Sequence, residues 1–118
     1  MAHLGDTLHG STDQEMHPGD YLLSHNGRFQ CILQLDGNLV VYDLQNGPRM
    51  LWPSNTSGKP VSRAVMQRDG NFVIYGPFEA NWSTQTGGQG ICDLVMQNDG
   101  NLVLYKVGPS AWAAGSHP

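Results

Sequence analysis

Glutamine, aspartate, asparagine and tyrosine recur along this sequence at fixed offsets. The stretches Gln34 to Tyr42, Gln67 to Tyr75 and Gln97 to Tyr105 each read Gln-x-Asp-Gly-Asn-x-Val-x-Tyr, with starts 33 and 30 residues apart. A repeat serving only a core would be expected to repeat hydrophobes, whereas these copies repeat one carboxylate, two amides and a phenol. A carboxylate accepts from two hydroxyls, and an amide both donates and accepts. Together they suit a neutral, polyhydroxylated ligand whose C–H face rests on the methyls of Val40, Val73 and Val103.

Other chemistries need groups that the motifs lack. A glycosidase needs two carboxylates about 5 to 10 Å apart, and each motif carries one, so no enzyme is expected and no catalytic residue is assigned. A calcium loop needs several spaced oxygen ligands, more than Asp-Gly-Asn supplies. His3, His9, His17, His25 and His117 lie outside the motifs without metal-ligand spacing, so neither a metal site nor a cofactor is expected. The chain carries a formal charge of -4 with only six Lys and Arg, which argues against nucleic acid and anionic membrane as partners. No apolar run is long enough to insert in a membrane. Met1 to Asp6 has neither a basic n-region nor an apolar h-region, so a cytoplasmic location or leaderless export is expected.

The elements that hold these residues must be short. A length of 118 residues allows one domain, and 15 glycines and seven prolines call for many turns. No segment keeps the i, i+3, i+4 apolar spacing of a helix, so the fold class is all-β. Drawn as one straight strand, Gln34 and Tyr42 would stand about 26 Å apart, too far for one small ligand to touch both. A reversal is therefore placed at Leu35-Asp36-Gly37 and at its two equivalents, since Asp-Gly is the strongest short hairpin signal, and Gln34 then faces Asn38.

Period-two alternation from that turn sends Cys31, Leu33, Leu39 and Val41 inward. It does the same for Ala64, Met66, Phe72 and Ile74 in the second copy, and for Cys92, Leu94, Met96, Leu102 and Leu104 in the third. Ile32, Val65 and Val95 join the motif valines on the outward face. Three sheets with one apolar face each can bury those faces only toward a shared axis, where Trp52, Trp82 and Trp112 are expected to supply much of the buried area. These tryptophans follow the motif tyrosines by 10, 7 and 7 residues, which places a three-residue insertion between Asp43 and Leu51. Residues 1–19, anchored by Leu4 and Leu8, are read as a loose strand and loop completing the third sheet. The three repeats then occupy approximately 20–57, 58–88 and 89–118.

Three intact copies at this spacing, with Trp and Gly-Gly turns between them, resemble the monocot mannose-binding (bulb-type, snowdrop-like) lectin family over roughly residues 4–118. The resemblance implies a β-prism II fold of three four-stranded antiparallel sheets and metal-independent binding of α-D-mannose and mannose-rich glycans. It also implies a homodimer in which the C-terminal strand, here Ala111 to His117, crosses to the partner. Carried onto this sequence, Asp36, Asp69 and Asp99 with Asn38, Asn71 and Asn101 would hold the axial O2. Gln34, Gln67 and Gln97 would reach O3, Tyr42, Tyr75 and Tyr105 would reach O4, and Val40, Val73 and Val103 would touch ring carbons. Glucose, inverted at C2, would leave the Asp and Asn groups partly unpaired. On this reading Asn101 points outward, and Asn101→Ala is expected to remove the third site with little loss of fold.

The chain departs from plant members at its cysteines. Gly37 stands where the family has a Cys beside the first motif Asp, and Val61 to Ala64 hold none. Cys31 and Cys92 are instead a candidate disulfide between the first and third sheets, with two buried free thiols as the alternative. Asn55-Thr56-Ser57 and Asn81-Trp82-Ser83 have the form of glycosylation acceptors. A different class of function is a defence protein, toxin or inhibitor, acting on other proteins through Asp43 to Leu51 and Gly76 to Ala80 with degenerate sugar sites.

Overall fold

The computed structural model describes residues 1–106 and 110–115. Its strands are β1 (Thr7–His9), β2 (Glu15–Met16), β3 (Tyr21–Leu23), β4 (Phe29–Leu33), β5 (Leu39–Asp43), β6 (Arg49–Pro53), β7 (Arg63–Met66), β8 (Phe72–Tyr75), β9 (Ala80–Ser83), β10 (Cys92–Met96), β11 (Leu102–Lys106) and β12 (Ser110–Ala113). They form three four-stranded sheets ordered β3-β4-β5-β6, β2-β7-β8-β9 and β1-β10-β11-β12. The all-β, three-sheet architecture read from the repeats is the one observed.

The first repeat supplies all four strands of its sheet, whereas the second and third supply three each and take the fourth from the N-terminal segment. The sequence reading gives residues 1–19 to the third sheet alone, and this is corrected. β1 lies on β10, but β2 lies on β7 of the second sheet, Glu15 opposite Val65 and Met16 opposite Ala64. A 3-10 turn over Gly10–Thr12 carries the chain round the corner between them. The cause is burial: Leu8, Met16 and Leu22 each put one fully buried side chain from an edge strand onto a different sheet. The edge of β3 is covered in turn by residues 2–5, through Tyr21 N–H to Ala2 O at 3.0 Å and Leu23 N–H to Gly5 O at 2.9 Å.

The alternation read from the sequence holds. Every side chain assigned inward in β4, β5, β7, β8, β10 and β11 is at most 1% exposed, and together they form one core with Leu8, Met16, Leu22 and Phe29. The tryptophan expectation needs correcting. Trp52 and Trp82 are only half-buried, packed edge-to-face with centroids 5.6 Å apart at the margin of that core. Phe29 and Phe72 are the largest of the fully buried side chains. The ring of Trp112, with Ser116 and His117, falls outside the described residues.

Cys31 and Cys92 are free and buried, so the candidate disulfide is not formed. Repeat equivalence explains this: Cys31, three residues before Gln34, sits at the level of Leu94, whereas Cys92 sits at the level of Phe29. An offset of two strand residues is about 7 Å along the sheet, before any separation between sheets is added, and that exceeds disulfide reach. Burial pushes the Cys31 thiol up to about 12 and raises that of Cys92.

Within the single chain, β12 pairs with β11, Val103 opposite Ala113 and Leu104 opposite Trp112. The insertion after Tyr42 forms the Leu44–Pro48 connection, at the end of β5 remote from Asp36.

Candidate functional site

Each motif is a β-hairpin whose turn is the Asp-Gly step. Gln34 N–H donates to Asn38 O at 2.9 Å and Gly37 N–H returns to Gln34 O at 3.0 Å; Gln67–Asn71 and Gln97–Asn101 repeat the pattern within 0.1 Å. Two constraints hold glycine at the turn. Gly37 and Gly70 have φ of +93° and +92°, and a Cβ there would lie 2.3 Å from Lys59 O and 2.6 Å from Gly90 O respectively. In the first two repeats the loop following β6 or β9 thus presses on the turn.

The hairpin brings the ends of the motif together. Gln34 Nε2 donates to Tyr42 Oη at 2.5 Å and Gln97 Nε2 to Tyr105 Oη, whereas in the second copy Tyr75 Oη donates to Gln67 Oε1. In the first copy this link crosses the Ile32–Val40 pair. The motif valines are accordingly covered, with Val40, Val73 and Val103 only 1%, 3% and 4% exposed, and they form the floor beneath the polar groups.

Aspartate and asparagine are fixed by the backbone. Asp36, Asp69 and Asp99 each accept, through Oδ1, the N–H of the asparagine two residues on, at 2.9 Å. Asn38 Oδ1 accepts from Ser54 Oγ at 3.0 Å and Thr56 N–H at 3.3 Å, and Asn71 Oδ1 from Thr84 Oγ1 at 3.2 Å and Thr86 N–H at 3.3 Å. Thr56 and Thr86 also bond the turn carbonyls Gly37 O and Gly70 O at 2.7 and 2.6 Å. These Ser and Thr residues were not singled out from the sequence. Their signal was present as a hydroxyl two and four residues after Trp52 and Trp82.

The third copy departs, with Ala114 in the place of Ser54. Asn101 Oδ1 there accepts from Gly115 N–H at 3.0 Å, so the chain's own C-terminal segment completes this site. The expectation that Asn101 points freely outward is corrected, since the residue is only 9% exposed and its amide is part of the sheet closure.

The structure therefore gathers the fifteen motif residues into three clusters, each with a carboxylate, two amides and a phenol around a valine. No protein-family model matches the chain. Among solved structures, a Marasmius oreades lectin is 35% identical with a TM-score of 0.85, covering 98% of this chain and 95% of that one. The chain belongs to the bulb-type mannose-binding lectin family. The snowdrop (Galanthus nivalis) agglutinin solved with methyl-α-D-mannoside superposes with a TM-score of 0.74 at 35% identity, covering 96% of this chain and 98% of that one. A curated mannose-specific lectin from Galanthus nivalis is 54% identical over 102 residues, 84% of this chain and 60% of its own length. The chain spans between about two-fifths and three-fifths of the curated relatives it matches. With these relatives, the three-sheet architecture is the β-prism II fold.

Proposed function

We propose that this bulb-type lectin domain binds terminal α-D-mannose and mannose-rich glycans at three metal-independent grooves, one on each face of the prism. The observation that carries the reading is the Asp–Asn pair, held in the same geometry in all three repeats. In the first two repeats Asp Oδ1 and Asn Oδ1 are occupied by the fold, which leaves Asp Oδ2 and the Asn nitrogen to meet an axial hydroxyl. Ser57 Oγ, 3.1 Å from Asp36 Oδ2, marks how a ligand hydroxyl would meet the first carboxylate.

Gln and Tyr, already joined, present one shared edge to O3 and O4, and the valine supplies the apolar contact. Such pre-pairing limits the side-chain entropy lost on binding. A shallow monosaccharide site remains weak, around 1 mM or about 4 kcal/mol. Titration with methyl α-D-mannoside is expected to give three sites per chain and no binding of the glucoside. Equal heats with the two epimers, or none with mannoside, would sink the proposal.

A further inference from the structure

The end of the first sheet remote from its Asp-Gly turn carries a charged cluster that the second repeat does without. Tyr42 faces Met50 and Tyr75 faces Ala80, so Asp43 and Arg49 correspond to Gly76 and Glu79. Arg28, six residues before Gln34, corresponds to Val61. The second repeat closes this corner with Gly76 N–H on Glu79 O at 2.8 Å. The architecture therefore does not demand two arginines and an aspartate here.

In the first repeat one carboxylate serves two cations. Arg28 Nε and Nη2 reach Asp43 Oδ1 and Oδ2 at 3.0 and 2.9 Å, a bidentate pair that neutralises the carboxylate by itself. Arg49 Nη2 stands 3.4 Å from the same Oδ2 with its side chain 63% exposed, and it adds a charge that the pair does not need. Two guanidiniums against one carboxylate leave one positive charge, in a chain whose formal charge is -4.

The donors that remain are set around a space. Arg28 is held from both sides, its fork closed on Asp43 and its Cζ lying 4.8 Å from the centroid of the buried Phe29 ring. Its Nη1, and the Nε and Nη1 of Arg49, have no hydrogen-bond partner among the described residues. Arg28, Asp43 and Arg49 line a cleft of about 440 Å³ together with the 45–48 loop, and a smaller space of about 220 Å³ continues from Arg28 and Gln45. The larger falls within the size range of small-molecule sites, about 300 to 1,000 Å³. Alternation along β5 puts Asp43 with Val41 on the face opposite Tyr42, and the cleft takes no residue from the three motif clusters.

We infer that this corner is a separate binding site for a sulfate ester, a singly charged oxyanion held between Arg49 and the free edge of Arg28, with the molecule that carries it lying along the 45–48 loop. Charge and shape both select it. One negative charge balances the corner, whereas a phosphate monoester carries about -1.5 to -2 and a polyanion needs more cations than these two. The three free oxygens of a sulfate ester can meet both guanidiniums at once, while the two of a carboxylate are taken up by one fork. A bare sulfate would leave much of the cleft empty, and the amides of Gln45 and Asn46 suit hydroxyls on the carrying residue. Because the cleft shares no residue with the motif clusters, the inference is independent of the mannose reading.

The test uses the full chain and galactose 6-sulfate, followed through the arginine Nε–H resonances by NMR at constant ionic strength, with galactose, inorganic sulfate and glucuronate as comparisons. Galactose 6-sulfate is expected to shift the Arg28 and Arg49 signals saturably, and galactose to leave them in place. Inorganic sulfate and glucuronate are expected to bind at least about tenfold more weakly, the increment of one or two hydrogen bonds. Arg49→Gln is expected to weaken the sulfated sugar by about tenfold or more with the unfolding midpoint unchanged, because Arg28 keeps Asp43 paired. Arg49→Lys, which restores the charge without the fork, is expected to recover part of that loss.

Absence of a saturable shift, or an affinity that survives Arg49→Gln, overturns the site. Equal affinity for inorganic sulfate overturns the ester as its ligand, and equal affinity for glucuronate overturns the choice of a tetrahedral group.

Discussion

The asparagine of each motif has two tasks that pull on opposite ends of one amide. Its Oδ1 takes donors from the closing loop, and on the proposed reading its nitrogen meets the ligand in the first two sites. In the second site, removing Asn71 would leave Thr86 N–H without its acceptor in a buried setting, while Thr84 Oγ1 keeps its 2.7 Å bond to Thr86 Oγ1. We expect Asn71→Ala to abolish binding at that site and also to cost about 1 to 3 kcal/mol of stability by chemical denaturation, the penalty of an orphaned buried donor. The neighbouring carboxylate separates the tasks. Asp69→Asn keeps an Oδ1 to accept the Asn71 N–H, so an unchanged midpoint is expected with at least about tenfold weaker mannoside binding at that site, since an acceptor of charge-assisted bonds is lost. If Asp69→Asn melted the fold as Asn71→Ala does, the carboxylate would be structural and its assignment as a ligand would fail.

The hairpin turn and the strands around it set how well those residues are placed, and each can be challenged without touching the sugar. Gly70→Ala would put a Cβ 2.6 Å from a backbone carbonyl at a φ of +92°. A loss of about 1 to 3 kcal/mol is expected, more than an ordinary loop Gly→Ala would cost. At the other end of the first sheet, Asp43 is almost fully buried and accepts from Arg28 Nε and Nη2 at 3.0 and 2.9 Å, tying the start of β4 to the end of β5, with Arg49 Nη2 at 3.4 Å. The Arg28 guanidinium, with the Gln45 N–H and Arg49, holds the Asp43 carboxyl well below the usual carboxylate range against the opposing effect of burial. A depressed carboxylate contributes stability that is fully present above its unfolded pKa of about 4 and is lost as pH falls below that toward the folded value. The unfolding midpoint is therefore expected to drop below about pH 4, and Asp43→Asn to flatten that dependence while lowering stability at neutral pH. The sequence carried the hairpins because Asp-Gly chemistry and period-two alternation are local, and the inward residues followed. It could not place β2, because a two-residue strand has no periodicity, nor the Ser and Thr that hold the asparagines, because their partners lie 13 to 18 residues away. The cysteine pair misled for a related reason: facing inward fixes a direction but not a level along the axis.

Pseudo-threefold packing points the three grooves away from one another, on different faces of a body 39 × 34 × 22 Å across. A glycan held in one groove would have to pass round an edge of the prism to reach the next, so the three proposed sites would engage separate glycans rather than chelate one. Effective concentration then acts between surfaces: each bound glycan holds the chain near the next, and weak sites add up only where mannose is dense. With β12 paired to β11 and Gly115 bonded to the third asparagine, the three proposed grooves belong to one chain. A chain with all three grooves is expected to crosslink mannose-coated particles. Silencing two sites with Asp36→Asn and Asp69→Asn should leave methyl mannoside binding at the third site yet abolish crosslinking, because one groove per chain cannot bridge two particles. Crosslinking that persisted in that double variant, with light scattering reporting twice the chain mass, would move the source of valency from the three faces of the prism to an association between chains.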